Sequence, residues 1–135
     1  MKLIIYTDGA SRGNPGPASY GFVIFDRKGK LIHQAGEFIG KATNNVAEYT
    51  AVLEAFKYLK KEFLEKLSIE FLADSRLVVE QLSGRFKIKN QNLKILFEQI
   101  KILEMEIGEV FYRHIPREKN FRADSLANEA LDKIY

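Results

Sequence analysis

The chain has 135 residues, 46% of them hydrophobic and 29% charged, with a formal net charge of +3. That length suits one domain spanning 1–135 with a real hydrophobic core, and the composition is that of an ordinary globular protein. The absence of cysteine excludes disulfides, thiolate zinc sites and cysteine nucleophiles. No apolar run approaches the length of a membrane span, so a cytoplasmic protein with no membrane partner is expected.

The first element is a short apolar run at 2–8 (KLIIYTD), which reads as a buried strand ending at Gly9. SRGNPGPA is turn chemistry throughout, since Gly and Pro set unusual backbone angles. YGFVIFD and LIHQAGEFIG follow as strands separated by RKGK, a hairpin turn. From about residue 45 to 64, Val46, Tyr49, Val52, Leu53, Phe56, Leu59 and Phe63 recur at helical spacing. LSIEFLAD is a further strand, and SRLVVEQLSG a short helix stopped by Gly84. A longer helix is expected over about 92–105, a last strand at GEVFYRHI ended by Pro116, and a closing helix over about 121–134.

The order β-β-β-α-β-α-α-β-α predicts an α/β fold. Three leading strands joined by short turns must be antiparallel, and strands reached through helices should run parallel to the first. The expected result is a mixed five-stranded sheet with helices on both faces. Ligand sites in such sheets gather at the carboxyl ends of the strands.

Four acids fall at that edge. Asp8 and Asp74 end strands, and Glu48 and Asp124 sit in the early turns of helices. Each has a structural explanation of its own. Asp8 before Gly9 can close a turn, and Glu48 stands at capping-box spacing from Asn45. Asp74 or Ser75 can cap the next helix, and Asp124 is favoured by a helix N-terminus. None of these explains why all four meet at one edge. Converging carboxylates repel unless cations neutralise them, and hard oxygen ligands suit Mg²⁺ or Mn²⁺. Two basic segments, one with Arg85, Lys87, Lys89 and Lys94 and one with Arg113, Arg117, Lys119 and Arg122, suit a polyanionic substrate. Solvated surface is their alternative reading.

The long segments YTDGASRGNPGPASYG, ATNNVAEYTAVLEAF and HIPREKNFRADSLANEA, in this order, resemble type 1 ribonuclease H, in a short form with no added N-terminal domain. The resemblance covers nearly the whole chain. It implies an endonuclease that cuts the RNA strand of an RNA/DNA hybrid, leaves a 5′-phosphate and a 3′-hydroxyl, and acts as a monomer. It leaves double-stranded RNA open as a further substrate. It implies two divalent ions with substrate bound, Mg²⁺ or Mn²⁺, held by Asp8, Glu48, Asp74 and Asp124. Gly9, Ser11, Asn14, Asn44, Asn45 and Arg76 would read the minor groove of the hybrid, and Lys41, Thr43 and Asn90 a phosphate of the DNA strand. His114 matches the family's mobile histidine, which assists product or proton release, a role Arg117 on the same loop could also take. A lone histidine on a strand is as readily a surface or packing residue.

Many members of that family carry a basic, tryptophan-bearing protrusion where this chain has only SGRFKIKNQNL and no Trp. Weaker, less salt-sensitive hybrid binding is the expected consequence. A proofreading-type 3′–5′ exonuclease on a related fold is disfavoured, because that family places a second acid where this chain has Ala10. A binding protein with a decayed metal site is disfavoured by the presence of all four acids.

Overall fold

The computed structural model describes residues 1–134. Strands β1 (Lys2–Ser11), β2 (Gly16–Asp26) and β3 (Leu31–Ala42) precede helix α1 (Asn44–Glu62). Strand β4 (Leu67–Ala73), helices α2 (Arg76–Leu82) and α3 (Gln91–Ile107), strand β5 (Gly108–His114) and helix α4 (Phe121–Asp132) complete the order. A single 3₁₀ turn, Arg117–Lys119, leads into α4.

The sheet order is β3-β2-β1-β4-β5. β1, β2 and β3 pair antiparallel, whereas β4 runs parallel to β1 and β5 parallel to β4. The mixed five-stranded sheet is as expected, but two boundaries are not. β1 continues past Asp8 to Ser11, and β2 begins at Gly16 rather than near Tyr20, because the ladder runs on through Gly9↔Tyr20, Ala10↔Ser19 and Ser11↔Ala18. Turn-forming residues there are recruited into an edge-to-edge pairing that local preference opposes. Asp8 nonetheless stands where it matters. The parallel β1–β4 ladder ends at Thr7↔Ala73, so Asp8 and Asp74 leave it side by side.

Alternation along the strands sends Leu3, Ile5, Phe22, Ile24, Ile69 and Phe71 to one face. There they pack under α1, whose Tyr49, Val52, Phe56 and Leu59 are fully buried. Val46 and Phe63, at the ends of the same stripe, are only partly covered. The α2–α3 connection contains no further helix among the described residues.

Glycines set how closely helices approach the site. A Cβ at Gly9 would strike the backbone of Ala47 and Glu48 on α1, and one at Gly21 would strike the carbonyl oxygen of Ala123 on α4. These positions need no unusual φ; they need the absence of a side chain. Gly21→Ala should therefore destabilise the protein by about 1–3 kcal/mol, the scale of overpacking against unyielding backbone. Urea unfolding measures this, and a cost near zero would mean that α4 is free to shift.

Candidate active site: an acidic cleft at the end of the parallel strands

Four elements deliver the acids. Asp8 is carried by β1, Asp74 follows β4, Glu48 lies in the second turn of α1, and Asp124 in the first turn of α4. None of the helix starts uses its acid as a cap. Thr43 caps α1, its Oγ1 accepting from Val46 N at 3.2 Å, so the capping-box reading built on Asn45 does not hold. Ser75, not Asp74, caps α2 by accepting from Val78 N at 3.3 Å. With neutral residues in those posts, the carboxylates are left to the cleft.

Carboxylate oxygens of Asp8, Glu48 and Asp74 lie within 4.8 Å of one another. Asp124 lines the same cleft, of about 450 Å³, together with Gly9, Ala10, Ser11, Asn44, Arg117 and Asn128. Asp8 is 5% exposed and Glu48 9%. Burial, and after it the charges of Glu48 and Asp74, raises the Asp8 carboxyl well above its ordinary value. Burial likewise raises Glu48, although contacts with Asp8 and the Gly9 backbone oppose the shift. Glu48 Oε2 is buried and finds no hydrogen-bond donor. A carboxylate oxygen left so, facing two more carboxylates, fits a hard divalent cation as its missing partner.

Two residues that sequence reasoning passed over hold this arrangement. Asn120, 1% exposed, donates from Nδ2 to the Thr7 carbonyl at 2.8 Å and to Asp74 Oδ2 at 3.1 Å. It ties β1, β4 and the start of α4 into one frame. An asparagine just before a helix reads as an N-cap, yet this one makes no side-chain cap, so its sequence context pointed the wrong way. Asn128 donates to the carbonyl and Oδ1 of Asp124 at 2.9 and 3.3 Å. Its signal was legible as an i,i+4 pair with Asp124.

The remaining candidates divide. Gly9, Ser11 and Asn44 line the cleft. Asn14 Oδ1 accepts from Asn44 N at 3.0 Å, clamping the β1–β2 loop to the start of α1. Ser11 Oγ lies 3.0 Å from the Ala42 carbonyl. Asn45 is partly buried and Arg76 exposed; neither lines the cleft. Lys41 and Thr43 line a separate groove between β3, α1 and α3. Asn90 caps α3 by accepting from Leu93 N at 3.1 Å and does not line that groove. His114 is exposed, its Nε2 3.2 Å from the Asp74 carbonyl oxygen. Arg117, by contrast, reaches the cleft.

A mixed sheet of this order with an acidic cleft where its parallel strands end defines an α/β protein of the ribonuclease H-like class. Residues 6–130 match the family described as reverse transcriptase-like. A ribonuclease H of Clostridium botulinum is 34% identical over 152 aligned positions, covering 98% of this chain and 97% of that one. The crystal structure of LC11-RNase H1 in complex with an RNA/DNA hybrid superposes with a TM-score of 0.94 at 46% identity, covering 98% of each chain. The chain belongs to the ribonuclease H family. A bifunctional protein of Mycobacterium tuberculosis is 42% identical over 133 residues, but there the match spans 98% of this chain and only 36% of the relative.

The raised carboxyls have a consequence for stability. Asp8 and Glu48 hold protons in the folded, metal-free state that the unfolded chain, with ordinary values of 3.8 and 4.5, releases. The folded state thus binds more protons between about pH 4 and neutrality, and stability from this source is lost as pH rises. Asp8→Asn removes a group that burial forces to take up a proton on folding. Its stability gain over wild type, measured by urea unfolding in chelator, should grow from about pH 4.5 to about pH 8. A gap that stays constant or shrinks would show that the carboxylates do not strain the fold.

Proposed function

We propose that this chain is an endoribonuclease that hydrolyses the RNA strand of RNA/DNA hybrids, with residues 1–135 acting as one catalytic domain. The observation that carries the reading is the trio of carboxylates within 4.8 Å, one of them bearing a buried oxygen without a donor. Family membership and the LC11-RNase H1 complex with a hybrid support the choice of substrate.

Asp8, Glu48, Asp74 and Asp124 would hold divalent ions, Mg²⁺ or Mn²⁺, two with substrate bound. When bound, such ions supply an activated water, stabilisation of the leaving 3′-oxygen, and neutralisation of the acids. The products are then a 5′-phosphate and a 3′-hydroxyl. The chain's own residues do the positioning. Asn120 fixes one Asp74 oxygen and so orients the other toward the cleft. Asn128 does the same for Asp124. Arg117 presents a cation where the substrate phosphate must enter, and His114, beside the Asp74 carbonyl at the rim, can take up or give a proton during release.

Ribose selection needs groups that read a 2′-hydroxyl. Gly9, Ser11 and Asn44 line the approach to the acids, with Asn14 holding Asn44 in place; Asn45 and Arg76 extend the same edge. Lys41 and Thr43, in their own groove, would grip a phosphate of the DNA strand together with Asn90, whose Oδ1 caps α3 and whose Nδ2 can donate.

The test is a labelled hybrid incubated with Mg²⁺ or Mn²⁺, with the product ends analysed. Cleavage should leave 5′-phosphates, and one 2′-deoxy substitution in the RNA strand should block cleavage around that point only. Asp8→Asn and Asp74→Asn should each lower turnover by at least about a hundred-fold with the fold intact. His114→Ala should slow turnover while leaving metal affinity unchanged. An intact hybrid under both metals, or equal cleavage of duplex DNA, would overturn the assignment.

A further inference from the structure

A second cavity lies one step from the acidic cleft. Tyr6, Phe25, Lys119, Phe121 and Arg122 line it, with a volume of about 270 Å³. Tyr6 and Phe25 meet edge to face, ring centroids 6.0 Å apart. The Arg122 guanidinium sits 5.4 Å from the Phe25 ring centroid. Phe121, at the first position of α4, is 65% exposed. One exposed aromatic ring on a protein surface needs no explanation. Three rings around one cavity, with two cations at its rim, do. Neither Lys119 nor Arg122 forms an ion pair among the described residues.

The cavity's position follows from the strand and helix that also carry the acids. Tyr6 precedes Asp8 by two residues on β1, so both side chains share a face of the sheet at a spacing of about 7 Å. Phe121 precedes Asp124 by three residues on α4, a rise of about 4.5 Å. A stacked strand advances about 3.4 Å per nucleotide, so an offset of about 7 Å along β1 matches roughly two nucleotide steps. The strand that enters those carboxylates is the one to be cut.

We propose that this cavity is a flanking subsite that stacks one unpaired base of the RNA strand where that strand leaves the hybrid, with Lys119 and Arg122 holding its phosphate. The proposal rests on the hybrid-cleaving reading above. Aromatic faces accept any base, and flanking cations follow the backbone without reading sequence. A base still paired in the duplex has no free face to offer, so the subsite favours hybrids with a single-stranded RNA extension over blunt ones. It uses charge from the second basic segment of the chain that the cleft itself does not employ.

Hybrids of identical duplex length test this: one blunt, one with an unpaired RNA extension at the 5′ end, one at the 3′ end, one with an abasic extension, and one with a DNA-strand extension. Equilibrium binding and KM are measured with each. One RNA extension, at whichever end exits past Tyr6, should tighten binding on the order of ten-fold, the scale of one stacked base. The abasic and DNA-strand extensions should not. Phe121→Ser should abolish the gain and leave kcat and KM on the blunt hybrid unchanged, and Phe121→Tyr should retain it. Lys119→Gln with Arg122→Gln should reduce both the gain and its salt dependence. No advantage for either RNA extension would overturn the proposal, as would a gain that survives Phe121→Ser or an equal loss on blunt and extended hybrids. Failure to cleave the blunt hybrid would instead reject the catalytic reading, because binding of the extensions is read independently of turnover.

Discussion

Mutual repulsion among buried carboxylates is the constraint around which this fold is built. Asp8, Glu48 and Asp74 are packed within 4.8 Å, and burial removes most of the water that would otherwise screen them. Such a cluster survives only if the surrounding frame is stiff. The frame here is the end of the parallel β1–β4 ladder, with Asn120 bonded across it to Thr7 and Asp74. Gly9 lets α1 close on β1 and brings Glu48 to Asp8, while Gly21 lets α4 close on β2 and brings Asp124 to the cleft. Thr43 and Ser75 take the capping duties at the starts of α1 and α2. The hydrophobic core under α1 stabilises the arrangement from beneath without contributing a group to it.

Much of this was legible in the residues. Apolar alternation and helical spacing returned every strand and α-helix in order, though not the 3₁₀ turn Arg117–Lys119, and short turns against helical crossovers returned the strand directions. The acids stood out because all of them fell at one sheet edge. What escaped was set by tertiary contact rather than by local pattern. Ser11 and Gly16 look like turn residues and become strand because each finds a partner across the ladder. Thr43 outcompeted Asn45 as the α1 cap, a choice of two positions that polar residues alone do not decide. Asn120 imitates a helix cap and instead spans two strands. Among the substrate candidates, Thr43 and Asn90 also cap helices, each through a side-chain oxygen that accepts, which leaves the Asn90 Nδ2 donor outside the cap. The sequence match and the hydrogen-bond partner there answer different questions.

The surface around the acids is asymmetric. On one side lie Gly9, Ser11 and Asn44, and beyond them the groove of Lys41 and Thr43. On the other, the turn Arg117–Lys119 carries basic residues beside exposed Phe121. Among the described residues no helix lies between α2 and α3, and Arg117 of the β5–α4 segment is the cation that lines the cleft.

Under the proposed function the carboxylates are held together for a cation and are under strain without one. Thermal unfolding of wild type and Asp8→Asn, each in chelator and in Mg²⁺ or Mn²⁺ at neutral pH, measures this most directly. Linkage requires the ion to stabilise whichever form binds it, and removal of a carboxyl that is costly to bury beside other acids to relieve the strain. Wild type should melt at a higher temperature with metal than without. Asp8→Asn should melt above metal-free wild type and respond little to the ion. A wild-type protein indifferent to divalent ions, together with an Asp8→Asn protein less stable than metal-free wild type, would contradict the account.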